Sequence, residues 1–170
     1  ILSFEYQRNK DISHKLIFEK IHEIDDGIYD VYIDDENIYA GTFKSGLYII
    51  NQRTSKSSMI NMNNSDIPSN AIRKIIKDSK GILWIGTQNG LVRYNLEDKS
   101  SNVYKNLVYD SHSLVNNYIY SILEDKSGLM WVGTYGGLSC FDSENKIEHY
   151  KVTFDSEFTI NDNMIHGIYE

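Results

Sequence analysis

One cysteine, Cys140, is all this chain carries, so neither an internal disulfide nor a thiolate zinc site can be assembled from it. Proline is equally scarce, with one in 170 residues, and no low-complexity tract marks an internal linker. Lys and Arg number 17 against 24 Asp and Glu, for a formal charge of −7. With no basic cluster either, nucleic acid and anionic membrane surfaces find no footprint here. No apolar run approaches the length of a transmembrane helix. Ile1 begins neither a signal peptide nor a natural start, so the chain reads as part of a longer protein. Catalytic grammar is thin as well: Gly-x-Ser-x-Gly is absent, and His14, His22, His112, His149 and His166 show no HExxH or other short ligand spacing. The reading assigns no catalytic residue, no metal and no cofactor, and expects no enzyme.

What the chain does have is a repeat. GILWIGTQNGL at 81–91 returns as GLMWVGTYGGL at 128–138, and more faintly as NIYAGTFKSGL at 37–47. The Gly-Thr pairs start at Gly41, Gly86 and Gly133, 45 and 47 residues apart, a period found in propeller blades and some helical solenoids. Each repeat opens with a β-branched and aromatic segment of strand length: 28–33, 72–77 or 119–124. An Asp-led turn follows, headed by Asp34, Asp78 or Asp125, where a side chain bonding its own backbone and a glycine of positive φ make hairpin chemistry. A second strand carries Tyr39, Trp84 or Trp131 into Gly-Thr. A tight turn then leads to a third strand at 47–50, 91–94 or 138–141, and a looser fourth follows, such as 147–152.

The expected fold is therefore all-β, with β-propeller blades of four antiparallel strands, about three full blades plus partial blades at both ends. The expected boundaries are 1–24 for the end of a preceding blade, 25–69, 70–116 and 117–162 for the blades, and 163–170 for the first strand of a next one. A phosphate loop is excluded, because it would run from a Gly-rich turn into a helix, whereas these glycines lead into another strand and let a neighbouring blade approach closely.

The pattern Ile-x-x-Ile-x-x-Asp-x-x-Gly-x-Leu-Trp-Ile-Gly-Thr-x-x-Gly-Leu resembles the two-component regulator propeller repeat. Repeat three carries it on Ile119, Ile122, Asp125, Gly128, Met130, Trp131, Gly133, Thr134, Gly137 and Leu138, and repeat two fits nearly as well. The first departs from it. Its turn after Asp34 is one residue short, its turn after Thr42 is one residue long, and Tyr39 replaces tryptophan. The resemblance implies an extracytoplasmic sensor domain of a bacterial signalling protein, membrane-anchored as a whole. It also implies a seven-bladed ring and an oligosaccharide or other small ligand. An open arc of blades leaves apolar faces in water, so self-association, ring closure or pairing with further blades is expected.

Propellers take ligands where their first strands line the central channel. The residue after the first isoleucine of these strands is Tyr29, Arg73, Tyr120 or His166. One reading is a ligand-facing ring, with rings to stack on sugars and Arg73 to meet a carboxylate or sulfate. The other is that these side chains fill a wet channel. Asn117, with Asn70, Asn116 and Asn163, precedes those strands and either contacts a ligand or forms turns. A scaffold for partner proteins, with no small ligand, stays open as the alternative function.

Overall fold

The computed structural model describes residues 23–142, 144, 146–150 and 163–170, and the backbone of two strands before them, β1 (Leu2–Gln7) and β2 (Lys15–Lys20). These two pair antiparallel. Three four-stranded antiparallel sheets follow, each a meander in chain order. Blade one holds β3 (Ile28–Ile33), β4 (Asn37–Thr42), β5 (Leu47–Asn51) and β6 (Ser57–Ile60). Blade two holds β7 (Ile72–Lys77), β8 (Leu83–Thr87), β9 (Gly90–Tyr94) and β10 (Ser101–Tyr104). Blade three holds β11 (Ile119–Glu124), β12 (Met130–Thr134), β13 (Gly137–Phe141) and β14 (Ile147–Tyr150). No helix occurs among the described residues. Despite its departures, the first repeat makes a complete blade.

The hairpin between first and second strands is locked by its aspartate. Asp78 accepts the backbone N–H groups of Lys80 and Ile82 on Oδ1, and the Trp84 indole N–H on Oδ2 at 2.9 Å. Asp125 does the same with Ser127, Leu129 and Trp131. In the shortened first turn Asp34 accepts from Glu36 and Asn37, and the Tyr39 hydroxyl substitutes for the indole at 3.1 Å. Turn aspartate and strand aromatic are thus one device, a charge-assisted hydrogen bond spanning the hairpin.

Gly-Thr serves two contacts. A Cβ on Gly41 would lie 2.7 Å from Ile72 Cγ2 of the next blade, one on Gly86 2.6 Å from Ile119 Cγ2, and one on Gly133 2.7 Å from Ile165 Cγ2. Glycine is required because the neighbour's first isoleucine occupies the space. The threonine closes the following turn. Thr42, Thr87 and Thr134, all fully buried, donate their hydroxyls to the carbonyls of Gly46, Gly90 and Gly137 at 2.8 Å.

The core consequently lies between blades. Tyr39 and Leu47 of blade one pack with Ile72, Ile75 and Leu83 of blade two, while Trp84 and Leu91 pack with Ile119, Ile122 and Met130 of blade three. Where the described residues place no preceding blade against a first strand, its exposure rises. Ile72 and Ile119 are fully buried, yet their counterpart Ile28 on β3 is 40% exposed, and Val31 is 42% exposed where Ile75 and Ile122 are buried. Charged groups also tie the seam between blades one and two, through Lys74 to Asp30 at 3.0 Å and Lys77 to Asp34 at 2.7 Å.

One expectation fails. Residues 163–170 are not a strand. Ile165 nonetheless docks over Gly133 as Ile72 and Ile119 dock over theirs, and its N–H donates to Thr134 O at 3.0 Å. The segment takes a first strand's place, but no second strand among the described residues gives it a ladder.

Candidate functional site

Each first strand is irregular at one place. Its register against the second strand shifts between Ile28 and Asp30, between Ile72 and Lys74, and between Ile119 and Ser121. The extra residue in each bulge is Tyr29, Arg73 or Tyr120. A bulge leaves its residue out of the ladder and re-aims the side chain, so the three positions singled out in the sequence share a local backbone cause. Before Arg73 and Tyr120 the preceding isoleucine, Ile72 or Ile119, is anchored in the seam, which fixes where those two bulges fall.

The structure brings these side chains into one row. The Arg73 guanidinium carbon lies 4.2 Å from the Tyr29 ring centroid and 5.4 Å from that of Tyr120. Tyr120 in turn lies 4.6 Å from the His166 ring. Four residues from successive repeats therefore form a continuous strip across all three blades and the docked 163–170 segment. Tyr118 joins it, 5.3 Å from Arg73 and 5.0 Å from Tyr120. Arg73, Tyr118 and Tyr120 are half-buried, whereas Tyr29 and His166 are exposed.

A second tier was not assigned from sequence. The residue after each Gly-Thr pair donates its N–H to the carbonyl just before the first isoleucine: Phe43 to Gly27, Gln88 to Ala71 and Tyr135 to Tyr118. These bonds hold the turn between second and third strands against the entrance to the first. Phe43 thereby sits 5.3 Å from Tyr29, with Lys44 over its outer side at 5.8 Å, and Gln88 Nε2 donates to the Tyr118 hydroxyl at 3.3 Å. The signal for this tier was the variable residue after an otherwise fixed Gly-Thr.

Asn117 is already engaged in shaping the loops, since its Oδ1 accepts the Asn106 N–H at 2.7 Å and its carbonyl accepts the Gly90 N–H at 2.8 Å. Asn116 and Asn70 likewise accept backbone N–H groups, from Tyr118 and Met62. Near the Lys44 end, Asp26 accepts from the backbone of Gly27, Lys44 and Ser45 and from the Ser45 hydroxyl. Burial works against its charge, but these donors prevail and hold its carboxyl below the usual range.

A groove at the opposite end of the strands, between blades one and two, is lined by Lys77 at the end of β7 and by Glu36, Lys80 and Glu97. Its Lys77 is committed to Asp34, so it has less unspent chemistry than the bulge row.

Three blades joined through glycine and isoleucine, with bulge residues gathered on one end, define a β-propeller segment. Residues 66–89 and 113–136 match the family described as Two component regulator propeller. Blades two and three thus each carry a two-component regulator propeller repeat. No curated protein matches the chain. Among solved structures, the extracellular domain of BT3049 from B. thetaiotaomicron, described as a hybrid two component system, is 23% identical with a TM-score of 0.67, over 84% of this chain and 17% of that one. That of BT4673 from the same organism is 26% identical with a TM-score of 0.63, over 83% and 19%. Virginiamycin B lyase from Staphylococcus aureus is 18% identical with a TM-score of 0.59, over 76% and 42%, a likeness of fold alone. The chain spans under a fifth of the length of the two extracellular domains.

Proposed function

We propose that this chain is a non-enzymatic sensor segment of a bacterial two-component-type signalling protein, lying outside the cytoplasm in a membrane-anchored parent. It takes a carbohydrate or other small ligand on the end of the propeller where the first strands begin. The observation that carries the reading is the continuous strip Tyr29, Arg73, Tyr120, His166, whose members sit on successive repeats and differ from blade to blade while the isoleucines beside them do not. Structural packing alone does not call for large hydrogen-bonding groups at every bulge. The likeness to extracellular domains of two-component systems supports the sensor assignment. Occupancy would favour one of two arrangements of the parent's subunits by its differential affinity for them.

A thermal-shift screen against neutral, uronate and sulfated oligosaccharides tests this. The expected result is a saturable rise in melting temperature with one class, lost in Tyr120→Ala. No rise with any sugar would move the assignment to a protein scaffold. A second surface has its own support. The exposed Ile28, Val31 and Ile33 of β3 stand where β7 and β11 receive a glycine-bearing second strand, which fits pairing with a further blade.

A further inference from the structure

Arg73 differs from the two lysines on its own strand. Lys74 and Lys77 on the same strand are paired with Asp30 and Asp34 across the seam. Among the described residues no carboxylate forms an ion pair with Arg73, and no protein acceptor takes its N–H groups. Its guanidinium is instead gathered among three rings, those of Tyr29, Tyr118 and Tyr120, contributed by the blades on either side. Such contacts orient the planar fork and shed its rotamer freedom in advance, but leave its in-plane donors unsatisfied.

The same contacts count against stacking. A pyranose needs a free aromatic face, and Tyr29 already has Arg73 at 4.2 Å and Phe43 at 5.3 Å, while Tyr120 has Arg73 at 5.4 Å and His166 at 4.6 Å. What the strip has left to offer is hydrogen-bond donation and positive charge: a pre-oriented guanidinium, with Lys44 at one end and His166 at the other. In a chain of net charge −7, a half-buried guanidinium with no carboxylate partner among the described residues is a group that oxyanions fit. A bidentate pair with a planar or tetrahedral oxyanion satisfies the fork.

We propose that the Arg73 strip recognises the acidic groups of an anionic oligosaccharide, carboxylate or sulfate, through the guanidinium edge rather than by ring stacking. This rests on the reading of that end as the ligand face. The test is titration calorimetry on the folded chain with four probes: oligogalacturonate, its methyl ester, oligocarrageenan and its desulfated counterpart. One acidic probe binds at least tenfold tighter than its neutralised partner, and which pair discriminates identifies carboxylate or sulfate. Arg73→Lys, which keeps the charge and loses the fork, reduces that preference severalfold, and Arg73→Gln abolishes it, with melting temperatures checked for both. Equal affinity for acidic and neutralised probes overturns the inference while leaving a sugar site standing. Silence from all four overturns the inference together with the sugar reading beneath it.

Discussion

Replacing Gly86 with alanine tests the seam on which the rest depends. The added Cβ would lie 2.6 Å from Ile119 Cγ2, 3.0 Å from its Cβ and 3.3 Å from Ile122 Cδ1. The two nearest atoms are held at the β-carbon branch of Ile119, and all three belong to buried β-branched residues in the adjacent blade. Gly86 does not have positive φ, so backbone strain does not contribute. Overpacking of this kind costs about 1–3 kcal/mol, and each kcal/mol lowers the melting temperature by about 2–4 °C in a chain of this size. Ile119→Leu keeps the volume but removes the branch methyl in the way, at a cost under about 1.5 kcal/mol alone. In urea titrations the double variant G86A/I119L is therefore less destabilised than the two singles summed, by about 0.5–3 kcal/mol. Gly128→Ala supplies the contrast. Its φ is 85° with nothing within 4 Å, so its left-handed strain costs about 1–2 kcal/mol and adds to I119L without coupling. If G86A costs the same in both backgrounds, within about 0.5 kcal/mol, the glycine is not there for the isoleucine and the account of blade docking is wrong.

Two further outcomes follow from the turn locks. Hydrogen bonds from Ser127 and the Trp131 indole hold the Asp125 carboxyl down to about 2 from 3.8. At Asp34 burial opposes the charge, but Lys77 and the N–H groups of Asn37 and Glu36 outweigh it and bring it to about 2 as well. Folded values below unfolded ones mean that this stability is fully present above about pH 4 and is lost as pH falls through about 2. The urea midpoint should fall between pH 4 and 2, less steeply in Asp34→Asn or Asp125→Asn; equal slopes in wild type and both variants would refute the locks. Thr87→Val, nearly isosteric, removes the buried hydroxyl that donates to the Gly90 carbonyl and accepts the Asn89 N–H. It should cost about 1–3 kcal/mol by urea titration, and a change under about 0.5 kcal/mol would contradict the role given to Gly-Thr.

Strands, turns and their order were legible in the chain because each rests on interactions a few residues long. An Asx-turn at Asp78 needs only Lys80 and Ile82, and positive φ at Gly90 and Gly137 needs no partner at all. The recurrence every 45 to 47 residues then multiplied weak local signals into an architecture. The bulge positions were visible only as a variable slot beside a fixed isoleucine. That this slot is a bulge was hidden, since a shift of register is a relation between two strands. Residues 163–170 show the converse: their sequence reads as a first strand, yet a ladder also needs a partner, which the described residues do not provide.

Distance along the chain marks where sequence reading stops. Tyr29, Arg73 and Tyr120 are 44 and 47 residues apart, and whether their side chains touch depends on how far each blade is turned from the last. That rotation is set by isoleucines seated over glycines of the preceding blade, at Gly41, Gly86 and Gly133. The same docking brought Phe43 to Tyr29 and left Arg73 among rings without an anion. Sequence by itself determined the blade, because a blade is made of neighbours; only the tertiary structure decided the strip, because its members meet through the packing of one blade on the next.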